Sequence, residues 1–195
     1  MKRALIKVFV GMALVCAMVP ASATLIHLMT TLSGPNESPP NASPGTGFVF
    51  VDLDTTANTL FVDATFSGLL GVTTASHIHC CTLVAGTGVA GVATTTPNFT
   101  GFPLGVTSGH FVSTLDLTLA SSYNPSFVTA NGGLAGAEAA LISGLLSGKT
   151  YYNIHTNRFP GGEIRGFLLV PEPLTISLIG VGIAIGLASR RRRRA

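Results

Sequence analysis

Two histidines separated by one residue, His77 and His79, are the first side chains whose spacing points to chemistry. On a β-strand, residues i and i+2 project from the same face, so this spacing sets two imidazoles side by side. Cys81 joins the row if the strand continues, and His155, on a second strand segment, completes a ligand set. Imidazole with thiolate suits zinc or copper. The competing reading has the histidines hydrogen-bonded to backbone or acids, organising loops at one end of the fold. A second cluster lies in YYNIHTNRFPGGEIRGF, Tyr151 to Phe167, which concentrates His155, Arg158, Glu163 and Arg165 in a chain only 10% charged. There Glu163 and Arg165 fall on one face of a strand and Ile164 on the other. Such a pair is an electrostatic clamp, so both are assigned to holding the fold rather than to chemistry.

Other reactive arrangements are missing from the sequence. There is no Ser-His-Asp order with a nucleophile elbow and no close carboxylate pair of the glycosidase kind, which argues against an enzyme. Asp52 and Asp54 share a strand face and offer oxygen ligands to a cation, though a wet strand end accounts for them equally well. Charge excludes another class of partner. Between residues 24 and 170 the basic residues are Lys149, Arg158 and Arg165, against seven acids, a net charge of −4. A body of that sign has no electrostatic footprint for nucleic acid.

The elements that must position these residues read as short β-strands. FVFVDLD (Phe48 to Asp54) and TLFVDATF (Thr59 to Phe66) flank Thr55-Thr56-Ala57-Asn58 and predict a hairpin. Leu60, Val62, Ala64 and Phe66 share one face of the second strand. In GHFVSTLDLTL, Phe111, Leu115, Leu117 and Leu119 oppose His110, Thr114, Asp116 and Thr118. TYYNIHT and EIRGFLLV predict the last two strands, joined by Asn157 to Gly162 around a tight Pro160-Gly161-Gly162 turn. Two short helices are expected. One covers Pro125 to Ala130, with Asn124 as N-cap; the other covers Gly136 to Leu146, stopped by Ser147-Gly148. The stretch Ser33 to Gly47 is rich in Pro, Gly, Ser and Asn and reads as a connection before the first strong strand. The fold class is all-β, an antiparallel sandwich or barrel-like sheet with one or two short helices. Cys80 and Cys81 are adjacent, so no long-range disulfide is expected within the body, and free thiols or pairing with a second chain are the expected states.

Both ends read as targeting segments. Lys2, Arg3 and Lys7 precede an apolar run, Val8 to Val19, and Ala21-Ser22-Ala23 supplies a small-x-small site for signal peptidase. Residues 1–23 are therefore expected to be a cleaved signal peptide. At the other end Leu174 to Ser189 carries no charge and Arg190 to Arg194 follow, the pattern of a short transmembrane helix with a cytoplasmic basic stop. Pro171-Glu172-Pro173, this helix and the arginines together resemble the PEP-CTERM sorting signal of Gram-negative bacteria. That resemblance covers residues 170–195 and implies recognition by exosortase, with release at the cell surface or in the extracellular matrix. Leu174 stands where a serine or threonine is usual.

The body between them, residues 24–169, resembles the CHRD domain. Three patches carry the likeness: LSGPNESPPNASPGTG (Leu32 to Gly47), the pair His77-Ile78-His79, and LLSGKTYYNIHTNRFPGGEIRG (Leu145 to Gly166). The resemblance implies an extracytoplasmic β domain with no established reaction. The expected role is non-catalytic, a surface or matrix component binding polysaccharide or protein without an obligatory cofactor. The alternative is a zinc- or copper-binding or redox protein centred on His77, His79 and His155.

Overall fold

The computed structural model describes residues 25–171. The signal-peptide site at Ala21 and Ala23, Glu172 and Pro173 of the sorting motif, and the apolar and arginine segments lie outside the described residues. Within them, seven strands run in chain order as β1 (Leu25–Ser33), β2 (Thr46–Asp54), β3 (Thr59–Ser67), β4 (Thr73–His79), β5 (Gly109–Asp116), β6 (Tyr151–Thr156) and β7 (Ile164–Phe167). They form one curved, half-barrel sheet in the order β4-β6-β7-β1-β2-β3-β5, with antiparallel neighbours throughout. A single curved sheet replaces the expected alternative of a two-sheet sandwich. The helices α1 (Pro125–Ala130) and α2 (Leu134–Leu146) follow β5. Among the described residues no helix is long and apolar enough to cross a membrane.

Alternation builds the inner face. Val49, Val51 and Leu53 of β2 and Leu60, Val62, Ala64 and Phe66 of β3 are all buried, and the two strands pair in register across the Thr55–Asn58 turn. Asn58 takes the left-handed conformation that ends this turn (φ 53°), a conformation asparagine tolerates better than most residues. Asp54 caps the same turn by accepting from the Thr56 and Ala57 amides, and so is committed to local structure. β1 is an addition to the predicted elements. It pairs with the full length of β2 and buries Leu28 and Leu32, while Leu25 and Met29 stay exposed. That mixture explains why no clean alternation marks it.

α2 buries Ala137, Leu141, Gly144 and Leu145, the spacing of one helical face, into the same core. It starts at Leu134, two residues before the predicted position, behind Gly133. α1 begins as predicted, with the Asn124 side chain accepting from the Ser126 amide at 3.0 Å. The long segment between β4 and β5 drops Phe99 and Phe102 onto Phe111 and Tyr152, closing the core with rings 5.4–5.8 Å apart; Phe99 stacks on Phe111 and Tyr152, and Phe102 meets Phe111 edge to face. β5 stops at Asp116, whose carboxylate takes the Thr118 amide and hydroxyl. Leu119, expected to continue the inner face, is therefore turned out and half exposed.

The β4–β6–β7 end differs from the rest. Its outer row, residues opposite one another across the ladder, reads His77 with Asn153 and Arg165, and His79 with Tyr151 and Phe167. These polar side chains are largely buried, because flanking loops cover them. Both faces of the sheet are therefore enclosed here, and the strands hide polar and apolar rows back to back.

Candidate metal centre

β4 sets His77 and His79 on one face, as the i, i+2 rule requires, and β6 brings in His155 opposite Ala75. The three rings pack with centroids 5.4–5.9 Å apart. One ring nitrogen from each lies within 4.8 Å of the others. Each imidazole is anchored by a backbone carbonyl, two from the long β4–β5 segment and one from the β6–β7 turn. Pro97 O is 2.6 Å from His77 Nε2, Ala90 O is 2.9 Å from His79 Nδ1, and Pro160 O is 2.9 Å from His155 Nδ1. A carbonyl can only accept, so these three nitrogens carry the protons. That leaves His77 Nδ1, His79 Nε2 and His155 Nε2 as lone-pair acceptors, and all three are buried without a hydrogen-bond partner.

Among the described residues no donor reaches these three nitrogens. Each buried acceptor without a donor costs on the order of 1–3 kcal/mol, and here three belong to one cluster of rings. The protonation state agrees with ligation. Burial holds the His77 and His155 imidazoles below the usual histidine range, with the neighbouring His155 charge also acting on His77. Burial likewise takes His79 down to about 4, assisted by His155, His77 and Arg165 and opposed by the Ala90 carbonyl. All three are neutral at pH 7, the form that binds a metal. A ring nitrogen held on a carbonyl is also the usual outer support of a ligating histidine, fixing its tautomer and orientation. Bond lengths of about 2.0–2.1 Å to zinc put ligand nitrogens roughly 3.4 Å apart, so a small inward rotation of the rings completes the set.

Cys81 does not belong to it. The strand ends at His79, and Cys80 and Cys81 are joined to each other in a disulfide across a cis peptide. A sulfur in a disulfide has no thiolate to offer, so both the assigned ligand role and the expectation of free or interchain thiols are corrected. The pair rests on α2, where Gly144 leaves room for both sulfurs.

Glu163 and Arg165 are also placed differently from expectation. They serve separate partners and do not pair with each other. The Glu163 carboxylate accepts from the Ser43 hydroxyl (2.6 Å), the Leu70 amide (2.5 Å), the Thr156 hydroxyl (2.7 Å) and the Gly71 amide (3.1 Å). Burial alone would raise its pKa; these four donors outweigh it and hold the group below the usual carboxylate range. Arg165 donates from Nε to the Asn36 carbonyl at 2.5 Å and lies 3.8 Å from the Glu37 carboxylate. Its guanidinium carbon sits 4.8 Å over the Tyr151 ring, which also stacks on His79 at 4.6 Å.

Sequence reasoning passed over Glu37. Burial pushes it up to about 7 against the pull of Arg165 and the Ser38 amide, and its Oε1 has no partner. The only hint was an acid among prolines. Asp52 pairs with His27 at 2.5 Å.

A family model for the CHRD domain matches residues 28–168. No curated protein and no solved structure matches the chain.

Proposed function

The chain belongs to the CHRD domain family, and on that premise we propose a non-catalytic surface or matrix protein that binds zinc or copper through His77, His79 and His155. Family membership supports a binding or structural domain; the metal is this reading's own addition. One observation carries it: each imidazole spends one nitrogen on a backbone carbonyl and keeps the other buried without a partner, in a cluster where one ring nitrogen from each histidine lies within 4.8 Å of the others. Three neutral imidazoles without thiolate or carboxylate suit zinc and copper alike.

The test is calorimetric titration of the purified full chain with each metal at neutral pH. The expected result is about one ion per chain, lost in His77→Ala, His79→Ala and His155→Ala. His27→Ala serves as the control, because His27 pairs with Asp52. No saturable binding of either metal would return the histidines to a structural role.

Export is the second part of the proposal, supported by the sequence of the two ends. In this reading signal peptidase removes residues 1–23 and the C-terminal helix holds the precursor in the inner membrane of a Gram-negative bacterium. Exosortase then acts at Pro171-Glu172-Pro173, and the body joins the cell surface or extracellular matrix, contacting polysaccharide or matrix protein. Mass spectrometry of the surface-associated protein is the measurement. A product retaining Arg190 to Arg194 in an exosortase-competent cell would refute the processing step.

A further inference from the structure

We propose that the cleft over Arg165 is a binding site for the carboxylate of an acidic sugar, a site distinct from the three histidines. The cleft is open, about 580 Å³, and Arg165 forms part of its lining together with Glu37, Phe167 and the loop Gly86–Gly88. Arg165 is only 5% exposed. A guanidinium has five N–H donors. Among the described residues, Nε alone has an acceptor, the Asn36 carbonyl. The nearest carboxylate, Glu37 Oε2, is 3.8 Å from Nε, too far for a hydrogen bond. The terminal nitrogens are not among the buried unpartnered atoms, so they reach the cleft surface. A buried cation with an unused planar fork is matched in geometry and charge by a carboxylate.

The surroundings make the arginine rigid and select the rest of the ligand. The guanidinium stands over the rings of Tyr151 and Phe167, at 4.8 and 5.8 Å, so it is preorganised rather than free to search. Glu37 compensates its charge poorly at neutral pH, because burial has raised that carboxyl to about 7. Around the fork stand the hydroxyl residues Thr30, Thr31, Ser38 and Thr87, and Gly86 and Gly88 present bare backbone. Hydroxyls and backbone amides beside one carboxylate receptor describe the partner of a uronic acid, which carries its own hydroxyls next to its acid. Choosing a polysaccharide over a small metabolite rests on the surface reading above; the carboxylate chemistry does not.

The experiment is calorimetric titration of the full chain, in a sugar-free detergent with chelator present, using oligogalacturonate, a neutral cello-oligosaccharide and an acidic peptide. Saturable binding of oligogalacturonate alone is expected. Glu37→Gln keeps the shape and removes the competing negative charge. With its carboxyl raised to about 7, Glu37 can finish protonating when the ligand binds, so the gain in affinity is at most about twofold at pH 7 and rises to roughly tenfold at pH 8, where the titration is read. Thr87→Trp, on an exposed loop outside the core, fills the cleft and should abolish binding while thermal unfolding stays unchanged. The proposal is overturned by no saturable binding, by equal binding of the neutral sugar, or by preference for the peptide. It is also overturned if both variants bind like the parent, which would assign the affinity to the arginines at 190–194. Metal titration of the same preparations after the chelator is removed separates failure of this site from failure of the histidine centre.

Discussion

Removing the Glu163 carboxylate tests whether the most enclosed acid of the domain holds its loops together. The side chain is the meeting point of three segments: Ser43 before β2, Leu70 and Gly71 before β4, and Thr156 at the end of β6. In Glu163→Ala the Gly71 amide loses its acceptor in a buried setting, at about 1–3 kcal/mol. The Leu70 amide can reach water and costs less, and each of the two hydroxyl bonds contributes roughly 1 kcal/mol. The expected total is about 3–5 kcal/mol. Glu163→Gln is the sharper variant. One oxygen serves Ser43 and Leu70 and the other serves Gly71 and Thr156. Whichever end becomes NH₂ therefore faces a backbone N–H, and about 2 kcal/mol is lost. The folded-state pKa lies below the ordinary 4.5, so this contribution is complete above that value and disappears as pH falls through the folded-state pKa. Urea unfolding followed by tyrosine fluorescence, the chain having no tryptophan, reads both effects. Equal midpoints for parent and both variants at pH 7 would refute the reasoning. A parent-minus-Gln difference that persists undiminished into strong acid would refute its electrostatic part.

The metal-free domain should lose stability as pH drops from 6.5 towards about 4, because the unfolded chain takes up protons that His77, His79 and His155 refuse when folded. Glu37, raised to about 7 when folded, gains a proton in the same window and works the other way, so the thermal melts at stepped pH are made on Glu37→Gln, where a flat profile would contradict the expectation. Gly144→Ala should destabilise by roughly 1–3 kcal/mol, since its Cβ would stand 2.5 Å from Cys80 Sγ and 2.7 Å from Cys81 Sγ; chemical denaturation reads the shift. Asn124→Ala should cost about 1–2 kcal/mol by removing both the α1 cap and the bond from its amide to the Val92 carbonyl, measured in the same way.

Local rules carried the sequence reading as far as local rules reach. Strict alternation located β2, β3 and β5, and the Asn-Pro pair located α1, because those signals lie within a few neighbouring residues. β1 escaped because its inner row is interrupted by Thr30 and its outer row includes Leu25 and Met29, so no face stands out. The His77–His79 pair was legible from the period of a strand. Its convergence with His155 depends on β4 pairing with β6, about seventy-five residues away in sequence, which spacing alone does not encode. The carbonyl anchors at Ala90, Pro97 and Pro160 were invisible for a plainer reason: every residue has a carbonyl, and only the chain path selects which ones are used. The Glu163–Arg165 clamp failed on the same ground. Two charges on one strand face are adjacent in sequence pattern, but each found better partners in loops brought over it from far away.

The back-to-back rows of β4, β6 and β7 have a consequence for how such a domain diversifies. Ile78, Tyr152, Ile154 and Ile164 face the packed interior, while their immediate neighbours His77, His79, Asn153, His155 and Arg165 face the enclosed polar layer. Heritable change in the second row can exchange one set of donors and charges for another while the first row keeps its volumes. The packing of the first row therefore does not itself depend on which polar side chains fill the second.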